Sequence, residues 1–374
     1  MIAAVKRPGR RHLARLLLAA AAFLVADVSL GWLRRALNDR ADALAAQPAE
    51  AADTYRTRHP YYSHDLVPGF DGVAVWGPLR YPMRTNALGF RDSAPRDIAM
   101  QGSGSRLLVI GDSFVEGQGL AYEHTIGGRL QAALAPGGTD VLNAGVASYA
   151  PAIYWKKIEY LRRERGLQFD ALLVFIDISD IQDEAAFYRI DESGRVVDAP
   201  RPSMNVLDMW TTHSATYRAA VRGAQWLRPH PPLIGCWVPT WSDWTCRAGW
   251  TSSDAAMTHY GRDGLRYADE HMTRLAALLR EWRIPLTVVV YPWRQQLQWN
   301  DRASLQTRHW QAWARRERAG FIELFTPFFA EVDRLGLPGT LGRYFIADDI
   351  HWTADGHRLA AEAVVPHLIG RARQ

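Results

Sequence analysis

The chain has 374 residues, 48% of them hydrophobic and 22% charged, with a formal net charge of +5. That balance excludes extensive disorder, and the length admits one large domain with insertions or two small ones. Lys6, Arg7, Arg10, Arg11 and Arg15 all precede the first acidic residue, Asp27, so the remainder is nearly neutral and carries no footprint for nucleic acid despite the high pI.

Leu13–Leu33 is an apolar run of about the 20 residues a helix needs to cross a bilayer. The basic leader, residues 1–12, would hold that end in the cytoplasm and send everything after Leu33 outside. Asp27 interrupts the run, at a cost of a few kcal/mol unless it lies near the interface. A cleaved signal peptide is the competing reading, since ADALAAQPAEAA offers small residues to a peptidase, but the length of the apolar run favours a retained anchor. Residues 34–60 are polar and Ala-rich and read as a stalk. Residues 61–105 are dense in Gly, Pro and aromatics without helical periodicity, which predicts short strands and turns beside the main domain.

The main domain is expected over residues 106–371. Short apolar runs, RLLVIG, DVLNAG, ALLVFIDIS, PLTVVVYP and GFIELF, alternate there with helical segments such as PAIYWKKIEYLRRERG and DEHMTRLAALLREWR. Runs of this kind are strands buried on both faces, so the pattern predicts an α/β fold with a doubly wound parallel sheet of about five strands. The interval from about Asp183 to Tyr267 breaks the alternation and is rich in tryptophan, and reads as an insertion. Within it Cys236 and Cys246 could close a short loop in an oxidising compartment or stay two unpaired apolar residues. No Cys and His spacing of a metal site occurs, so no metal or organic cofactor is implied.

In such sheets ligands bind beyond the carboxyl ends of the strands. Ser113 lies there, in GDSF directly after RLLVIG, with Gly111 permitting a tight turn. A serine hydroxyl needs a base, a group that orients the base, and donors for the oxyanion. The C-terminal stretch YFIADDIHWTADGH supplies His351 in a loop before a helix, with Asp348 three residues ahead, a spacing that lets a turn bring both side chains to one site. Asp349 is the nearer rival, but neighbours on an extended loop tend to point apart. His357 is the rival base, placed inside the terminal helix where packing is its simplest use. Each motif alone is weak, and Ser113 could be a plain helix cap.

Together GDSF, Gly145 in VLNAGVASYAP, VFIDISDIQDE and DDIHWTADGH resemble the ordered blocks of the SGNH hydrolases, also called GDSL esterases. RTNALGFRD and the GQG after the serine are similar to a membrane-anchored bacterial branch. The resemblance runs from about Tyr61 to the C-terminus, outside the tryptophan-rich interval. It implies a flavodoxin-like sheet, with Ser113 as nucleophile, His351 as base, Asp348 as orienter, and the backbone N–H groups of Ser113 and Gly145 facing the oxyanion. Where the family usually presents an Asn side chain as a further oxyanion donor, this chain has Ser179, whose hydroxyl has shorter reach.

The function so implied is an ester hydrolase on the extracytoplasmic side of a bacterial inner membrane, removing acetyl or similar groups from carbohydrate through an acyl-serine. Transfer of the acyl group to a surface polysaccharide, and a non-catalytic polysaccharide-binding or assembly role, are the alternatives. A lipid-acting esterase is motivated only by the anchor. Trp237, Trp241, Trp244 and Trp250 in the insertion, with Trp293 and Trp299 later, could stack on sugar rings, although a buried packing role is the simpler expectation for any one of them.

Overall fold

The computed structural model describes residues 10–45, 54–102, 104–199, 214–217, 219–220 and 247–369. Cys236, Cys246, Trp237, Trp241 and Trp244 lie outside them.

Helix α1 runs over Arg10–Ala45, and its segment Ala14–Arg34 is long and apolar enough to span a membrane. The helix therefore continues past the apolar run into the stretch read as a stalk. Two antiparallel hairpins follow, β1 (Arg56–His59) with β2 (Ser63–Leu66) and β3 (Asp71–Trp76) with β4 (Leu79–Arg84).

The core is a five-stranded parallel sheet of β5 (Ser105–Ile110), β6 (Thr139–Asn143), β7 (Ala171–Ile176), β10 (Leu286–Val290) and β11 (Gly320–Glu323), in spatial order β11-β10-β7-β5-β6. Each strand coincides with one of the five apolar runs. Leu108, Val109, Ile110, Val174 and Val288 are fully buried, the burial expected of strands covered on both faces. Counted within the sheet, the order is 2-1-3-4-5, the flavodoxin-like winding, whose crevice opens between the first and third strands, here β5 and β7.

The covering helices are α2 (Ser113–Glu116), α3 (Ile126–Leu134), α4 (Pro151–Arg163), α5 (Asp180–Ala186), α6 (Arg262–Glu281), α7 (Arg294–Gln298) and α8 (Leu305–Glu317). A further helical stretch over Phe325–Tyr344, broken at Gly336 (φ 72°), has no counterpart in the sequence reading. The terminal helix α9 spans Ala354–Ile369. Between α5 and α6 a small hairpin of β8 (Tyr188–Ile190) and β9 (Val196–Asp198) leaves the sheet, and Val196 bridges back to Tyr62.

The hairpins are tied to the main sheet by buried charge. Lys157 on α4 pairs with Asp65 at 2.8 Å, and Arg56 pairs with Glu116 of α2 at 2.8 Å. Arg91, 1% exposed, donates to the carbonyl oxygens of Glu116 (2.5 Å), Gly117 (2.6 Å) and Leu120. Those carbonyls close the short helix that Ser113 opens, and a guanidinium there satisfies acceptors that have no intrahelical partner.

Candidate active site

Ser113 follows β5, Gly145 follows β6 and Ser179 follows β7, so three loops from adjacent strand ends meet at the crevice. Asp112 caps α2, its Oδ1 accepting the Phe114 N–H at 3.0 Å, which leaves Ser113 as the first helical residue. The turn depends on a missing side chain rather than on an unusual dihedral. A Cβ on Gly111 would lie 2.4 Å from Val115 Cγ2 and 3.0 Å from Phe175 O, and one on Gly145 would lie 2.5 Å from Val115 Cγ1. Both glycines let neighbouring backbones close around the serine.

Ser113 Oγ and His351 Nε2 are 2.8 Å apart, across 238 residues of sequence. At the other ring nitrogen, His351 Nδ1 lies 2.6 Å from Asp349 Oδ1. This corrects the expectation for Asp348. The loop closes as a turn in which the Asp349 N–H donates to Ile346 O, and Asp348 inside it takes a left-handed φ of 55°. That conformation, which a short polar residue tolerates, leaves Asp348 exposed to solvent. Asp349 Oδ1 also accepts the His351 backbone N–H at 2.9 Å, so carboxylate and imidazole are locked by both ends of the histidine.

Asp349 is fixed by a residue that sequence reasoning missed. Trp76, at the end of β3, donates its indole N–H to Asp349 Oδ2 at 2.6 Å and stands edge-on to the His351 ring at 5.1 Å. Arg294 donates to the Asp349 backbone carbonyl at 3.0 Å. Burial alone would raise the Asp349 pKa, but hydrogen bonding and charge interaction with His351 outweigh it and hold the carboxyl at about 2. The carboxylate is therefore ionised throughout the neutral range.

His357 is a buried packing residue. Its Nδ1 accepts the Ile126 N–H at 3.0 Å, and burial, then the charges of Arg129, His351 and Arg91, depress its pKa to about 3. It stays neutral and does not face Ser113.

The oxyanion side differs from expectation. The Gly145 N–H donates to Asn143 Oδ1 at 3.1 Å, while the same Asn143 amide donates to Val115 O at 2.8 Å. Gly145 therefore does not present a free donor, because the Asn143 side chain spans the gap between the two loops. The Ser179 N–H is likewise engaged, by Asp177 Oδ1 at 2.7 Å. Among the described residues, no acceptor meets the Ser113 N–H or the Ser179 hydroxyl.

Behind the serine lie three buried carboxylates, Asp112, Asp177 and Asp180, with one oxygen of each within 4.8 Å of the others. They are the residues that could hold a cation. Protein groups already meet them: Tyr291 OH donates to Asp112 at 3.1 Å, Trp293 Nε1 to Asp177 at 2.6 Å and Tyr154 OH to Asp180 at 2.9 Å, while Ser113 Oγ lies 3.1 Å from the other Asp112 oxygen. Asp180 Oδ1 meets no donor among the described residues. Desolvation, reinforced by neighbouring carboxylates, pushes Asp112 and Asp180 well above the usual carboxylate range. A neutral Asp112 can donate to Ser113 Oγ and leave the serine proton directed at His351, whereas an ionised Asp112 would compete for that proton.

Two tryptophans read as candidate sugar platforms serve the interior instead. Trp250 donates to Ile178 O at 2.8 Å and Trp293 to Asp177, and each is 1% exposed. Trp299 is half-buried against the core.

No family model matches the chain, and no curated protein matches it in sequence. Solved structures similar to it include a catalytic mutant of the acetylxylan esterase Axe2 from Geobacillus stearothermophilus, 14% identical, covering 72% of this chain and 95% of that one with a TM-score of 0.39. A lipase/acylhydrolase from Enterococcus faecalis is 12% identical over 71% of this chain and 96% of its own, with a TM-score of 0.37. The acetyl xylan esterase AlAXEase is 12% identical over 69% and 97%, again with a TM-score of 0.37.

Proposed function

We propose that the chain is an SGNH-type serine esterase that removes small acyl groups, acetyl foremost, from carbohydrate outside the cytoplasmic membrane. The observation that carries this reading is the continuous relay from Ser113 Oγ through His351 to Asp349, with contacts of 2.8 and 2.6 Å. As Oγ attacks the acyl carbonyl, His351 Nε2 takes its proton, and ionised Asp349 holds the Nδ1–H tautomer and stabilises the imidazolium. The oxyanion is received by the Ser113 N–H and the Ser179 hydroxyl. His351 then returns the proton to the departing sugar oxygen, leaving an acyl-serine. Water activated by the same imidazole releases the acid. Ser113 and His351 are only 8% and 4% exposed, which favours a compact acyl group over a long chain. An apolar segment of α1 long enough to span a membrane, preceded by a basic leader that would stay inside, supports a site that meets surface polysaccharide.

The test is a fluorophosphonate probe on the full chain in detergent, read by mass spectrometry. The expected result is an adduct on Ser113 that is lost in Ser113→Ala and His351→Ala. Folded wild-type protein without an adduct would overturn the esterase reading and leave a binding role. Acetate release from acetylated glycan without an added acceptor separates hydrolysis from acyl transfer.

A further inference from the structure

Helix α1 is exposed along almost all of its apolar length, with Phe23, Leu24, Val25 and Leu30 facing outward. One stripe is covered. Asp27 is 3% exposed, Gly31 is buried and Val28 is half-buried, and positions 27, 28 and 31 share one helical face. At Asp27 the cover comes from a segment 187 residues further on. Ser214 Oγ donates to Asp27 Oδ2 at 2.5 Å, and the Thr216 N–H donates to Asp27 Oδ1 at 2.9 Å. Ser214 Oγ in turn accepts the Tyr217 N–H at 2.9 Å, and residues 215–217 and 219–220 are helical. Asp27 and Ser214 together thus cap the start of a second helical segment.

We infer that the segment around Ser214–Tyr217 and Ala219–Ala220 docks on the membrane helix at Asp27 and enters the outer leaflet of the bilayer beside it. This rests on α1 being a membrane anchor. Asp27 stands seven residues before Arg34, where the apolar span ends, which at 1.5 Å per residue is roughly 10 Å inside the outer face of the hydrocarbon. At that depth a lone carboxylate and the open N–H groups of a helix start are both unfavourable, because no water is present to solvate them. Pairing them removes both defects, and negative charge at a helix N-terminus is favourable in itself. Ser214 is fully buried in the contact, while Ala219 and Ala220 are exposed small apolar residues suited to face lipid. The insertion thereby holds the domain against the membrane through a second point of attachment, and Asp27 is the acceptor that makes the attachment possible.

The test uses single cysteines at Ala220→Cys and at Ser193→Cys, an exposed site in the turn between β8 and β9, in the full chain with Cys236 and Cys246 replaced by serine. Membranes with the domain side outward are treated with a membrane-impermeant maleimide. Labelling at 220 is expected to be at least tenfold slower than at 193 and equal to it in SDS. Asp27→Ala, and independently Ser214→Ala, should speed labelling at 220 without changing 193. Release of the chain by alkaline carbonate would overturn the anchor and the docking with it. Equal rates in carbonate-resistant membranes would overturn the docking alone, as would slow labelling at 220 that neither Asp27→Ala nor Ser214→Ala changes.

Discussion

The Ser113 turn and the His351 loop meet at one hydrogen bond, yet they are held in different ways. Around Ser113 the turn itself is set by local contacts, with Asp112 capping Phe114 and the Val115 and Glu116 N–H groups returning to Asp112 O, and Tyr291, Asn143 and Arg91 then brace it from outside. Around His351 local contacts close the loop, but the donors that hold the Asp349 carboxylate and carbonyl from outside it come from afar. Trp76 reaches Asp349 across 273 residues and Arg294 across 55. A turn built from its neighbours shows itself in a short motif, whereas a loop built by distant donors does not, and the second kind is where one carboxylate of an adjacent pair is selected.

The strongest way to break this comparison is to exchange the pair. Asp349→Ala should lower kcat on an acetyl ester by about 10³–10⁴-fold, as loss of the group that orients the base does elsewhere, while Asp348→Ala should leave kcat within about twofold. Equal losses would show that the loop rearranges in the working enzyme. The Asp349 carboxyl is held near 2, so its pairing stabilises the fold fully above the ordinary carboxylate pKa and is lost only as pH falls from there toward about 2. Asp349→Ala should therefore lower Tm by a roughly constant amount above about pH 4, with the two stability curves converging as pH falls toward about 2.

Ser179→Ala comes next. Removal of one oxyanion donor costs about 10²-fold in kcat with little change in KM. A smaller loss would return the role to Gly145, with Asn143 moving aside when substrate binds.

Trp76→Phe keeps the ring but removes the donor to a charged group, which is worth about 1.5 kcal/mol or roughly tenfold in kcat. The rate as a function of pH should change with it, which simple loss of packing would not produce. An unchanged profile would detach the hairpin from catalysis and leave it structural.

The smallest effect is expected behind the nucleophile. Asp180 has its pKa raised by burial, so its contribution is present at pH below the unfolded value and declines as pH rises toward the folded one. Asp180→Asn removes that penalty and offers donors where Asp180 Oδ1 has none. A rise of a few degrees in Tm at pH 8, shrinking toward pH 4, is the expected outcome of thermal unfolding. A loss of stability at pH 8 would mean that the carboxylate cluster is balanced by charge.

Much of the fold was legible in order. The five apolar runs are the five strands, because burial on both faces is written in consecutive residues, and their alternation with helices implies a parallel sheet. Ser113 and His351 were legible as reactive candidates for the same reason: each sits at a strand or helix boundary marked by neighbouring residues. What the residues alone could not decide was geometry set by the sign of a dihedral or by contacts between distant segments. The left-handed φ at Asp348 turns that side chain to solvent and delivers Asp349 instead. The Asn143 amide closes over Gly145, and Trp250 and Trp293 spend their indole N–H groups on interior acceptors. Asp27, an interruption of an apolar run in the sequence, becomes a helix-capping acceptor once residues 187 positions away are brought beside it. Short-range patterning determines which segments are buried and how they alternate; only the folded chain decides which of two equivalent neighbours finds a partner.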